Sequence, residues 1–368
     1  MAKRLLTLNG LAILGVIINH SVGWGYVAMF WWVHRYTSLT SPNFDQMYSA
    51  SYFMMRFLEQ FIIPSIPAFL LVSGYFIAFA AGKKETIEWK FILGRVKYLV
   101  IPFVLWTTIM LGYNITQGER FDALGIVALY VFGQATPAFY FVPLLVSLYV
   151  ISPWIIKFAR SNWKLLLVTT AVVQILAQSG KYPLILDMNI PGREVLNIVT
   201  AGWFFAGNIF WFSAGVILGL QQNTIKAFLQ RIRYALLSLI PALFAIGMIE
   251  WEWLLRNSNR DWIGPRETLL DNVYSLVFLG FLIGVINLKL PYQQWLNDLG
   301  AKSFGIYLSH SLVLSLGAKT IYHIVPQLLS IPLLFLVVLF IIGLGIPLLM
   351  MEITHRSPLK RYYVYFFG

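Results

Sequence analysis

The chain contains no cysteine, which excludes disulfides, thiolate nucleophiles and Cys-ligated metals. Charge is nearly as scarce: 11% of the 368 residues are Asp, Glu, Lys or Arg, whereas 59% are hydrophobic. A soluble domain needs more charge than this on its surface, so the composition predicts an all-α, polytopic integral membrane protein. Also missing are a G-x-x-x-x-G-K-[ST] phosphate loop, an H-E-x-x-H helix, a G-x-S-x-G elbow and any paired spacing of metal ligands. Those absences argue against an ATP-driven pump, a serine hydrolase and a metalloenzyme, and no metal is expected. Acidic residues are the scarcer sign, 15 against 27 Lys and Arg, for a net charge of +12. The basic residues sit in short segments between apolar runs and form no continuous patch. They therefore mark membrane orientation rather than a nucleic-acid surface, and the expected surroundings are membrane lipids.

What is present is a succession of about ten apolar runs, near 5–24, 58–81, 97–116, 138–158, 163–179, 200–220, 234–254, 272–290, 301–318 and 328–351. Each approaches the length needed to cross a bilayer. The 121–133 run is too short and reads as a shallow or re-entrant piece. The first run is longer than the apolar part of a signal peptide, so it is expected to be retained. With the N-terminus inside, eighteen Lys and Arg fall on the cytoplasmic side and nine outside, while eleven of the 15 acidic residues fall outside. That bias predicts both termini in the cytoplasm. Two cytoplasmic stretches, 225–233 and 85–97, carry apolar residues at helical spacing with Lys and Arg elsewhere, the pattern of helices lying on a leaflet. Residues 24–56 are rich in Trp and Tyr, which suits an aromatic interface belt, with stacking on sugar rings as the other use. No repeat or linker divides the chain, which is expected to form one domain over residues 1–368.

The first run is the most informative stretch. Asn9 and His20 are eleven residues apart, about three helical turns, so they share a face with Ile13 and Val16. Polar groups at membrane depth are costly, which makes this face a functional candidate. His20, with a reference pKa near ~6.5, can take and return a proton near neutral pH; packing against a neighbouring helix is the equally weighted alternative. His310, three residues after Tyr307, places two rings on one side of its helix. Ser73, Gly74 and Tyr75 lie in the second run, where Gly allows close approach of a helix or a ligand. Arg95 and Lys97 are placed to meet phosphates from the cytoplasm, or to anchor the helix by the positive-inside rule. Arg56 and Glu59 have the spacing of an i,i+3 pair, and Glu59 could orient a neighbour.

Five segments, in order, resemble the acyltransferase 3 family of membrane proteins that acylate cell-surface glycans. They are Leu8-Asn-Gly-Leu-Ala-Ile-Leu-Gly-Val-Ile-Ile-Asn-His20, Phe69-Leu-Leu-Val-Ser-Gly-Tyr75, Arg95-Val-Lys-Tyr-Leu-Val-Ile-Pro-Phe-Val-Leu-Trp106, Phe139-Tyr-Phe-Val-Pro-Leu-Leu145 and Ser303-Phe-Gly-Ile-Tyr-Leu-Ser-His310. The family's first-helix signature is an Arg, ten residues, then a His. His20 matches it, but Asn9 stands where the Arg is expected, and Ser311 stands where the family often has Pro. An amide offers hydrogen bonds without charge. Arg4, the nearest replacement, is turned by about 140° from Asn9 on a helix.

The resemblance implies transfer of an acyl group, acetyl for preference, from cytoplasmic acyl-CoA to a hydroxyl of an extracytoplasmic polysaccharide or glycolipid. It places the protein in the plasma or inner membrane. His20 and Asn9 would be the catalytic pair, with His20 as base or acyl carrier. Arg4, Ser73, Gly74, Tyr75, Arg95 and Lys97 would hold the acyl-CoA co-substrate, and Glu59, Tyr140, Tyr307 and His310 would line the remaining pocket. Partners would be the glycan acceptor and either a second copy of the chain or glycan-synthesis proteins. Two other classes stay open: a proton-coupled transporter or flippase, and a non-catalytic homologue in a glycan-synthesis complex, which the Asn9 replacement keeps in play.

Overall fold

A computed structural model describes residues 1–263, 268–288 and 291–368. Its described residues form fourteen α-helices and no strand: α1 (Ala2–Phe30), α2 (Ala50–Ile62), α3 (Ser65–Ala81), α4 (Trp89–Thr116), α5 (Ala123–Val131), α6 (Phe141–Ser179), α7 (Lys181–Ile185), α8 (Arg193–Val199), α9 (Ile209–Leu220), α10 (Gln222–Asn257), α11 (Leu269–Gly284), α12 (Gln293–Ile324), α13 (Pro332–Arg356) and α14 (Tyr363–Phe367). Arg266, Glu267 and Lys289, three of the charges in the orientation bias, lie outside the described residues, as do the last two residues of the 272–290 run.

Six helical segments among the described residues are long and apolar enough to cross a membrane: α1, α2 with α3, α4, α6 running into α7, α10, and α13. The chain is therefore a membrane protein. The ten runs map onto these segments unevenly. Two of them, 138–158 and 163–179, share α6, which bends where Asn162 leaves helical geometry (φ −153°, ψ 83°). The Asn162 side chain accepts from the Leu165 N–H at 3.1 Å and restarts the helix as a cap would. The 200–220 run yields only the twelve residues of α9, the 272–290 run becomes the sixteen residues of α11, and the 301–318 run lies inside the longer, more polar α12. The 225–233 stretch, expected to lie flat on a leaflet, instead continues without a break into the membrane helix as α10. The reason is its packing: Leu229 and Arg233 sit against Gly284 at the end of α11. α5, at nine residues, is too short to cross, as its sequence suggests.

The bundle is built from helix pairs in backbone contact. Lipid is as apolar as leucine, so helices in a membrane gain little from burial alone and depend on close packing at small residues. α1 and α12 run parallel, and a Cβ added to Gly10 would strike the Leu296 carbonyl while one on Gly300 would strike the Leu6 carbonyl. α3 and α9 meet in the same way, with Gly74 against Phe212 and Val216 and Gly215 against Leu71. Around these pairs a large buried core gathers from α1, α3, α4, α6, α9 and α12. A second cluster, including Tyr26, Met29, Phe30, Tyr52 and Trp251, closes one end. By contrast α10 leaves Leu237, Leu239, Ile246 and Ile249 exposed, as a lipid-facing helix would.

This packing makes a prediction. Gly10→Leu or Gly300→Leu forces apart two touching backbones and should destabilise the folded protein by about 1–3 kcal/mol. Gly112→Leu on α4, where nothing lies within 4 Å, should leave the thermal midpoint of the purified protein unchanged.

Candidate active site

The parallel packing of α1 on α12 brings His20 and His310 side by side, with ring centroids 5.1 Å apart. His310 is fully buried (0% exposed). Its Nδ1 lies 2.5 Å from the Tyr307 carbonyl. A carbonyl only accepts, so the proton of neutral His310 sits on Nδ1 and its Nε2 carries the lone pair. That Nε2 faces the Ser311 hydroxyl at 3.5 Å, and Ser311 in turn accepts from Thr136 at 3.2 Å. Tyr307 donates its hydroxyl to the Ala138 carbonyl. The 136–138 segment is thus tied to α12 directly behind the histidine pair.

In front of the pair lies a cavity of about 570 Å³. His20 is half-buried and opens onto it, together with Gly15, Val16, Asn19 and Gly23 of α1. Across the cavity stand Glu59, the α2–α3 junction at Ile62–Ile66, Tyr140, Tyr307, Lys181 and the 200–208 segment. Much of this wall is non-helical. Pro64 interrupts the run between α2 and α3, and the 132–140 and 200–208 segments consist mainly of turns and irregular backbone. Irregular backbone at membrane depth is tolerated where it lines a polar cavity, so the breaks and the cavity have one physical explanation. Among the described residues no hydrogen bond holds the His20 ring, leaving it available to a ligand.

Glu59 is the cavity's carboxylate. It is paired with Arg56, both nearly inaccessible at 2% and 3% exposure, and Tyr26 donates to it at 3.4 Å. The Arg56 guanidinium packs over the Trp251 ring, 3.5 Å from its centroid. The i,i+3 pairing expected from sequence is therefore present and buried. Beyond it a polar network continues: Gln60 donates to Asp271 at 3.2 Å, Thr268 to Glu250 at 2.5 Å, and Tyr182 to Glu250.

His20, Glu59, Tyr140 and Tyr307 all line the cavity, and His310 backs it. Asn9 and the six residues expected to hold acyl-CoA do not line it. Asn9 is about 16 Å further down the helix by the 1.5 Å rise, and its Oδ1 is buried without a hydrogen-bond partner among the described residues. Arg4 donates to the Ile286 carbonyl and, at 3.1 Å, to Asn287. Gly74 is taken up by the α9 contact, and Tyr75 donates to Gln222 at 3.0 Å. Ser73 is half-buried on α3. Arg95 and Lys97 are exposed on α4, with the Arg95 guanidinium 5.2 Å from the Phe91 centroid. Because α1 runs antiparallel to the continuous α2–α3 segment, with Gly15 beside Ser65 of α3 and Tyr26 beside Glu59 of α2, Arg4 and Ser73–Tyr75 share the end of the bundle remote from the cavity.

The sequence reading missed Asn19, Lys181 and Asn208 as cavity residues. The last had a legible signal: Gly202, Gly207 and Asn208 punctuate the 200–220 run as a helix start would.

A buried ion pair is costly to half-remove. Arg56→Met should destabilise the protein by about 3–5 kcal/mol, and the double change Arg56→Met/Glu59→Leu should recover most of that loss. Thermal unfolding of the three purified proteins checks the order.

Searches of curated proteins and of solved structures returned no match. A family model described as an acyltransferase domain matches residues 7–352. That span runs from the first turns of α1 almost to the end of α13 and contains the histidine pair and the whole cavity, so the protein belongs to the acyltransferase 3 family.

Proposed function

We propose that this acyltransferase moves an acyl group, acetyl for preference, from acyl-CoA on the cytoplasmic side to a hydroxyl of a polysaccharide or glycolipid on the other side of the plasma or inner membrane. The observation that carries the reading is His20: a histidine with no hydrogen bond to its ring among the described residues, opening onto a cavity and backed by a second, buried histidine. In this reading both termini are cytoplasmic. The donor enters at the end bearing Arg4, Ser73–Tyr75, Arg95 and Lys97, where cations meet the CoA phosphates. The acceptor enters the cavity.

His20 takes the proton from the acceptor hydroxyl as its oxygen attacks the thioester carbonyl. The C–S bond then breaks and the thiolate leaves, to be protonated as CoA. A positioned base of this kind is worth about 10²–10⁴-fold in rate. Should His20 instead carry the acyl group, the kinetics become ping-pong and an acyl-enzyme accumulates without acceptor.

Two measurements test this. His20→Ala should lower acceptor-dependent release of CoA from acetyl-CoA by about 10²–10⁴-fold while the protein still folds; turnover at the wild-type rate would remove His20 from the mechanism. Asn9→Arg, which supplies the charge the family carries there, should lower the KM for acetyl-CoA. An unchanged KM would take Asn9 off the donor path, and transport of the acceptor in liposomes without any acyl donor would favour the transporter class instead.

A further inference from the structure

We propose that Asn208 is a specificity-determining residue of the cavity, hydrogen-bonding a second hydroxyl of the acceptor while His20 acts on the first. The inference rests on the acyl-transfer reading and deepens it.

Asn208 is 4% exposed and lines the cavity, yet its Oδ1 has no hydrogen-bond partner among the described residues. Its position makes that omission informative. It occupies the N-cap of α9, where asparagine ordinarily accepts from the backbone N–H two or three residues on. Here no side-chain cap bond forms. The N–H that would be capped, that of Phe210, donates instead to Gln174 Oε1 at 3.0 Å. Gln174 is itself held in place by donating to Asn272 at 2.7 Å. A glutamine from α6 therefore does the capping, and the Asn208 amide is left without that partner at the cavity wall.

A buried amide oxygen without a partner is destabilising, so a ligand hydroxyl that reaches it gains more than one placed in water. Two other polar groups of the cavity are already engaged: Glu59 by Arg56 and Tyr26, and Ser65 by the Ile62 carbonyl at 2.7 Å. An amide both accepts and donates, which matches a hydroxyl. An acceptor with a single hydroxyl, committed to His20, would leave Asn208 unsatisfied, and sites built to bond a hydroxyl discriminate against ligands lacking it.

The test is binding of the purified full chain, in lipid nanodiscs and without acyl donor, to an array of immobilised glycans. Asn208→Ser keeps a good N-cap residue but withdraws the amide. It should keep the wild-type melting temperature and lose about tenfold in affinity for the glycans that the wild type retains. Asn208→Asp keeps an accepting oxygen at the same reach and should stay within about threefold of wild type. Unchanged affinity in the serine variant, loss in the folded aspartate variant equal to that in serine, or a wild type that retains no glycan would each overturn the proposal. The two readings fail separately. Asn208-dependent binding without any CoA release would sink acyl transfer and leave the binding role standing. Acyl transfer with an acceptor KM indifferent to Asn208 would do the reverse.

Discussion

The backbone contact between α1 and α12 is the constraint on which the site depends. Gly10 and Gly300 let the two helices touch at their lower turns, and because the helices are parallel the same register carries His20 to within 5.1 Å of His310 ten residues later. A side chain at either glycine would separate the helices along their length, so a packing requirement at one end of α1 sets the spacing of two imidazoles nearer the other. The hydrogen bonds behind His310, to the Tyr307 carbonyl and through Ser311 to Thr136, then fix its tautomer and anchor the 136–138 segment that forms part of the cavity wall. Packing, tautomer and cavity are thereby one linked arrangement.

The cavity owes its existence to the places where helices stop. Pro64 breaks the second run, Asn208 marks a late start for α9, and the chain between Phe132 and Phe141 runs mainly through turns. In hydrocarbon such breaks would leave backbone groups without partners. Clustered around a polar space, they become its lining. The buried Arg56–Glu59 pair extends that polar region away from His20 into a network reaching Gln60, Glu250, Thr268 and Asp271. An ion pair so deep is supported by Trp251 against the guanidinium and by Tyr26 donating to the carboxylate, while the Arg56 Nε is buried without a hydrogen-bond partner among the described residues. Its cost is better explained by what it holds in place, a carboxylate at the cavity wall, than by any gain in stability.

A good part of this was legible in the sequence. The scarcity of charge made the chain an all-helical membrane protein, the i,i+3 spacing of Arg56 and Glu59 foretold their pairing, and five ordered motifs pointed to the family to which the chain belongs. Tyr307 and His310, three apart, had to share a side of their helix. These inferences hold because helical periodicity and composition are local properties. Other features were not legible for the converse reason. The bend that joins two runs in α6 depends on a single non-helical residue, Asn162. The continuation of 225–233 into α10 depends on Gly284 offering a surface to Leu229 and Arg233.

By itself, then, the sequence determined that apolar helices would form, which faces of them would be polar, and that a histidine would stand at membrane depth on the first. Only the tertiary structure decided what that histidine meets. His310 lies 290 positions away in the chain, Glu59 arrives on an antiparallel helix, and Asn208 lines the cavity at the start of α9, where Gln174 from yet another helix accepts from the Phe210 N–H. Periodicity fixes directions around one helix axis. The choice of neighbour is made by interhelical contact, where a glycine without a Cβ or a proline without an N–H allows one pairing and forbids the next.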